Sequence, residues 1–445
     1  MPARDSIKAL PTKAFFVEML VRDIPVENAV LDLVDNCIDG ARRLRPEEGA
    51  EYSGLTVTVK FDRERFLIED NCGGFDVAKA ETYAFRFGRP SDADATPHSI
   101  GQFGVGMKRA LFKFGRYFEV SSTTPKERWS MHVDVAEWLA DEEGWTFSFD
   151  DVTPGEFGPD ELGTRIEVRN LRSEVAARFA SPRTDRQLAE MIRSHQGQFL
   201  ARGLRVTFNG RELSAADLSV RSGGKFNPGI ESLMFDEGSG APVTIKLIVG
   251  VSDPSPAKAG WYVVCNRRVI VAADRTELTG WGTAGESRGL PKYHNDYARF
   301  RGVVFFDCDD AGKVPWNTTK TGLDDAATVW QQAYDRMIEH SRSVFEFLNE
   351  LANDVAEHGG ERSRLLKALT DDTVLTDVGE FGAVDQRFEW DKEPRKLAPK
   401  TIGIHYWREE SKIEALKGIL GVGSAKAVGE NSFDWMYRTR VGDDE

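Results

Sequence analysis

Leu31-Asp32-Leu33-Val34-Asp35-Asn36-Cys37-Ile38-Asp39 takes on a definite character once it is wound into a helix. Asp32, Asn36 and Asp39 then fall at i, i+4 and i+7, one above another on a single face. Leu31, Val34 and Ile38 take another face at core-facing spacing, so the helix has an apolar side and an acidic side. Surface helices usually interleave acids with Lys or Arg, whereas here no base arrives until Arg42. Carboxylates without counter-charges beside an amide suit a hard cation such as Mg2+, with one carboxylate left over to handle a proton. A solvated helix face carries the same residues, so this stretch alone leaves both readings open.

The neighbouring segments narrow the choice. Residues 13–22, with Phe15, Phe16, Met19 and Leu20, predict a short amphipathic helix, and Pro25 suits the start of the acidic helix. Thr56-Val57-Thr58-Val59-Lys60 alternates as a strand does, and Arg65-Phe66-Leu67-Ile68-Glu69 follows as a second. The second runs into Asp70-Asn71-Cys72-Gly73-Gly74, an acid at a strand end followed by glycines. Such a turn lets backbone approach a flat ligand closely, and the acid accepts a hydrogen bond from an exocyclic amine. A helix is expected near residues 77–87, then a polar loop from Gly88 to Ser99. The loop ends in Ile100-Gly101-Gln102-Phe103-Gly104-Val105-Gly106-Met107-Lys108-Arg109-Ala110, which turns into an apolar helix. Glycines at a helix start leave N–H groups free for phosphates, and Lys108 and Arg109 in the first turn make sense beside an anion. Met107 stands where a Walker A loop has its lysine, and Arg109 where a dinucleotide fingerprint has its third glycine.

Composition bounds the rest. A chain of 445 residues has room for two or three domains. A formal charge of −14 argues against long-range steering of the whole molecule onto nucleic acid. Cys37, Cys72, Cys265 and Cys308 are too scattered for a disulfide framework or a zinc site, which suggests reduced thiols in a cytoplasm. The start has no apolar run of signal-peptide length, and no apolar stretch nears the length of a membrane span.

Taken in order, Asp32-x-x-x-Asn36-x-x-Asp39, the strand-end Asp70 with its glycines, and Gly101-x-x-Gly104-x-Gly106 resemble the N box and two glycine boxes of the GHKL ATPases. That superfamily includes DNA gyrase B, Hsp90, MutL and the sensor histidine kinases, and the resemblance covers about residues 13–175. Ile100-Gly101-Gln102-Phe103-Gly104, Met107-Lys108, and Gly163-Thr164-Arg165-Ile166-Glu167-Val168 are most similar to the MORC branch. The resemblance implies an α+β chain: a Bergerat-type α/β sandwich over residues 1–182, with strands at 116–123, 128–134, 144–149 and 164–169. An S5-like transducer domain would follow over residues 183–358, and a linker with a small C-terminal α/β module over 359–445.

Carried over residue by residue, the resemblance makes Asn36 the holder of Mg2+ against ATP and Asp70 the acceptor of the adenine amine. Gly74 lets the base approach. Gly101, Gln102, Phe103, Gly104, Val105, Gly106 and Met107 surround the phosphates, Lys108 neutralises them, and Thr164 supports Asp70. Asp39 lies behind the residues that touch the nucleotide. The family's general base is normally Glu, and Asp32 stands there instead. Its carboxylate is set back by roughly 1.5 Å, a misplacement that costs about 10²-fold in rate, so slow hydrolysis is expected. Cys72 replaces the first glycine of its box.

In the second half, residues 185–200 predict a helix, and strands are expected at 203–208, 243–251 and 260–265, with Asn209-Gly210 and Asn266-Arg267 in turns. By resemblance, a loop of this domain donates a lysine to the terminal phosphate. The candidate is Lys320 in Pro315-Trp316-Asn317-Thr318-Thr319-Lys320-Thr321-Gly322-Leu323-Asp324, after the strand Gly302–Phe306 and before a long helix from Asp325 to about Ala356. A helix over Arg362–Leu369, a connector over Asp371–Lys400, a strand over Ile402–Trp407 and a helix over Ile413–Leu420 complete the expectations.

The functional expectation is an ATP-gated homodimeric clamp that hydrolyses ATP slowly. By family analogy it acts on DNA in restriction or phage defence, with any nuclease or effector on a separate chain. No membrane partner is expected. The alternative is an Hsp90-like chaperone or a nucleotide-switched scaffold that does not hydrolyse. A sensor histidine kinase fits poorly, because the first histidine of the chain is His98, after the N-box helix.

Overall fold

The computed structural model describes residues 12–22, 24–47, 49–86, 106–141, 144–236, 238, 240–283, 289–317, 322–392 and 404–442. Two helices open it, α1 (Lys13–Arg22) and α2 (Val26–Leu44). The first sheet contains β1 (Thr56–Phe61), β2 (Arg65–Asp70), β3 (Gly115–Thr123), β4 (Glu127–Asp134), β5 (Phe149–Pro154), β6 (Gly163–Leu171), β7 (Arg205–Phe208) and β8 (Arg211–Leu213). Their order is β5-β4-β3-β6-β2-β1-β7-β8, antiparallel throughout except where β7 joins β1 in parallel. Alternation explains its two faces: Val57, Val59, Phe66, Ile68, Val120, Ile166 and Val168 are buried in the core. Between them, Glu69, Arg165, Glu167, Arg169 and Glu119 form a ladder of ion pairs on the other face. The apolar side lies against α2 and the helix Gly106–Phe114, whose Ala110, Leu111, Phe112 and Phe114 are buried.

The chain continues through the helices Pro182–His195 and Gly197–Ala201 to β9 (Ser219–Ser222), β10 (Gly229–Phe235), β11 (Val243–Val251), β12 (Gly260–Cys265), β13 (Arg268–Asp274), β14 (Phe300–Asp307) and β15 (Val374–Asp377). A second sheet runs β10-β11-β14-β12-β13. β14 is buried at every residue but its last, because both faces of this sheet are covered. On one face lies the helix Thr328–His358, which buries Trp330, Ala333, Met337, Val344, Leu348 and Leu351 at helical spacing. On the other, Val220 from β9 and Val378, just after its partner strand β15, pack on Ile248, Val264 and Val303.

Several expectations are corrected. The strand foreseen at 144–149 forms at Phe149–Pro154. The strand foreseen near 203–208 as the start of a second domain pairs with β1 and extends the first sheet. Within the connector expected over Asp371–Lys400, residues 371–391 are structured. β15 pairs with β9, Gln386 and Glu389 bond to the backbone of Ile230 and Asn227, and Phe388 and Trp390 pack on Phe347. The chain divides into two compact units between Asp391 and Lys392. In the second unit the described residues contain the helices Glu410–Leu420 and Ala425–Arg440, and the expected strand is absent from residues 404–407. No described helix is long and apolar enough to cross a membrane.

Candidate active site

The helix α2 is sunk into the molecule rather than lying on its surface. From Val26 to Arg42 every residue is buried except Asn28, Asp32 and Asn36, four apart, which form one accessible stripe. Among the described residues, the side chains of Asp32 and Asn36 have no hydrogen-bond partner. Asp32 faces the first residue of the helix Gly106–Phe114: a Cβ added at Gly106 would lie 3.1 Å from Asp32 Oδ2. Asp39 does not share the stripe. It is buried and provides a counter-charge for Arg42, whose guanidinium pKa is lowered by burial and partly restored by Asp39.

Asp70 closes β2 directly beside α2. Loss of water around its carboxyl raises the pKa from 3.8 to about 6, and hydrogen bonds from the Cys37 thiol and from the backbone of Cys72 and Thr164 oppose that rise. The Cys72 N–H lies 2.8 Å from Asp70 Oδ1. Thr164 is the register partner of Asp70 on β6. Glycine permits this arrangement at two close approaches. A Cβ at Gly163 would fall 1.8 Å from the Asp70 carbonyl, and one at Gly74, where φ is 63°, would fall 2.3 Å from the Thr123 carbonyl. Ser122 Oγ accepts from the Phe75 N–H at 2.8 Å and lies 3.5 Å from Thr164 Oγ1, tying the glycine turn to the sheet. The same turn rests on α2 at Gly40, where a Cβ would meet the Cys72 carbonyl at 2.8 Å.

Lys108 points its ammonium at main chain, donating to the carbonyls of Ala84 at 2.8 Å and Arg86 at 2.5 Å. Those carbonyls end the turn that begins at Val77, so the lysine caps it, and burial lowers its pKa from 10.5 to about 7. Met107 is half-buried against the core. Gly101, Gln102, Phe103, Gly104, Val105 and Lys320 lie outside the described residues. Asp32, Asn36, Asp70, Gly74, Gly106 and Thr164 are therefore gathered around the α2 stripe and the end of β2.

Sequence reasoning missed Cys37, Ser122 and the buried Asp35. Cys37 had a readable clue, since it follows Asn36 in the helix and so turns toward the neighbouring strand. The donor set fits a Mg2+ brought in by a phosphate group. The described residues contain no cluster of three metal-ligating side chains, and the Asn36 amide beside Asp32 offers the few protein oxygens such an ion uses.

No curated protein matches the chain. Residues 24–157, which hold α2, the Asp70 turn and the helix starting at Gly106, match the family model described as Histidine kinase-, DNA gyrase B-, and HSP90-like ATPase.

Proposed function

We propose that this cleft binds ATP with Mg2+ and hydrolyses it slowly. The observation that carries the reading is the stripe on α2: Asp32 and Asn36, two polar side chains without partners among the described residues, on a helix whose other residues from Ala29 to Arg42 are buried. Asn36 would hold the metal, which when bound offsets phosphate charge. Asp70 accepts from the adenine amine, and Gly73 and Gly74 leave the base room. Asp32 takes the proton of the attacking water, its short side chain keeping turnover low.

Beyond the site, the reading is a MORC-like, ATP-gated homodimeric clamp, with residues 1–22 crossing to the partner and DNA as the substrate surface. The five-stranded sheet and its long helix would act as the S5-like transducer, with Lys320 reaching the terminal phosphate. Support for this part is the resemblance of the motifs. The shortened Asp32 favours one second reading, a chaperone or scaffold that binds nucleotide without turning it over.

Calorimetry with MgATP tests the site: wild type binds, and Asn36→Ala does not. Equal binding by both would overturn the assignment of Asn36. Light scattering with and without a non-hydrolysable ATP analogue tests the clamp, and a monomer under both conditions counts against it.

A further inference from the structure

Asp35, the residue before Asn36, is fully buried. Its Oδ2 pairs with Arg268 at the start of β13, itself 2% exposed, and its Oδ1 accepts from Gln196 Nε2 at 2.7 Å. Gln196 is also fully buried, between the helices Pro182–His195 and Gly197–Ala201. Two further bonds join the same elements: Arg42 on α2 donates to the Asn266 carbonyl, and His195 bonds to the Val269 carbonyl. The turn that presents Arg268 is strained, with Asn266 at φ 48° and Arg267 at φ 69°.

This junction is poorly suited to a purely stabilising role. A buried ion pair is often matched or bettered by apolar residues of similar volume. Here Arg268 Nε, Gln196 Oε1 and Asn266 Nδ2 are also buried without partners among the described residues, and a half-satisfied polar network is worse than an apolar one. What directional bonds supply is orientation. The apolar residues of α2 would tolerate a small rotation about the helix axis, whereas donors fixed on both oxygens of Asp35 would not.

We propose that Asp35 and Arg268 are positioning residues for the cleft chemistry, holding the rotation of α2 that turns Asp32 and Asn36 outward and linking it to the second sheet. The inference rests on the reading of the cleft as an ATP site. Any change at the cleft that turns α2 is felt at Arg268, and any movement of the β12–β13 turn is felt at Asn36.

The test is the double variant Asp35→Leu with Arg268→Met, which replaces the pair by apolar bulk. Each single change should lower Tm, and the double should recover most of that loss. At saturating MgATP the double variant should show kcat reduced by about tenfold or more, with KM changed far less. Hydrogen exchange at residues 266–269 should respond to an ATP analogue in wild type and not in the double variant. A well-folded double variant with wild-type kcat and a wild-type exchange response would overturn the proposal. If the double variant fails to fold, Asp35→Asn and Arg268→Lys carry the test. A lowered kcat at unchanged KM in both supports the proposal, and wild-type kcat in both overturns it. Calorimetry on wild type separates the two readings: no MgATP binding there would defeat the nucleotide site itself, whereas binding with unaffected variants defeats only the role of the pair.

Discussion

Cys37, the residue after Asn36 on α2, is buried against the carboxyl of Asp70 at the end of β2. One end of the proposed pocket is thereby built from two separate elements that share a half-buried, poorly hydrated carboxyl. A carboxyl in that setting serves recognition at a cost in stability, and the cost depends on pH.

Asp70 has a raised pKa in the folded protein, about 6 against 3.8. Its contribution to stability is full below pH 3.8 and is lost as pH rises through about 6. Asp70→Asn is therefore expected to be more stable than wild type near neutral and alkaline pH, with the advantage shrinking as pH falls below about 6. Urea melts across that range check the sign. The same variant should bind adenine nucleotide more weakly, because the amide keeps one acceptor oxygen where the carboxylate has two and carries no charge.

The two glycines of the Asp70 turn should differ in cost. Gly74→Ala puts a methyl 2.3 Å from a backbone oxygen at φ 63°, with nothing flexible to yield. Gly73→Ala, at φ 90°, meets the side chain of Leu44 at 2.8 Å, and Leu44 is 43% exposed and free to turn aside. A loss on the order of 3 kcal/mol is expected at Gly74 and about 1–2 kcal/mol at Gly73. Denaturant melts measure both. Equal losses would mean that contact with Thr123 is not what the glycine serves.

Lys108→Met should destabilise by removing the donor from two carbonyls, by about 1–3 kcal/mol at mildly alkaline pH. Its sign with pH is opposite to that of Asp70. The lysine pKa is lowered to about 7 from 10.5, so its contribution is full above 10.5 and is lost as pH falls through about 7. The gap between wild type and variant should therefore widen as pH rises above 7. A gap that narrows would mean that the ammonium, not its neutral form, is what the fold prefers.

The spacing of Asp32 and Asn36 was enough to foresee a helix with one polar stripe, and the glycines after Asp70 were enough to foresee a close-packed turn. The width of that stripe was not legible. Asp35 and Asp39 look like surface acids until their partners are known, and Arg268 is 233 positions away from Asp35. The membership of β7 in the first sheet was hidden for a related reason. A parallel partner for β1 has to come from beyond a long crossover, and nothing local marks which strand it is. β15 has only four residues, too few for periodicity, and it exists because β9 offers it an edge. Lys108 reads in the sequence as a charge for an anion. Its burial against carbonyls depends on where the turn after Val77 ends, which no residue type announces.

Asp32 offers the sharpest separation of binding from chemistry. Its carboxylate lies beside Gly106 at the start of a helix, on the accessible stripe of α2. Asp32→Ala should keep MgATP affinity within a small factor and lose turnover by about 10²-fold or more, measured as phosphate release at saturating ATP. Asp32→Glu carries the carboxylate forward by one methylene and should raise turnover by roughly tenfold or more. If Asp32→Ala turns over like wild type, the base lies elsewhere. If Asp32→Glu is instead slower than wild type, the pocket is shaped around the shorter acid.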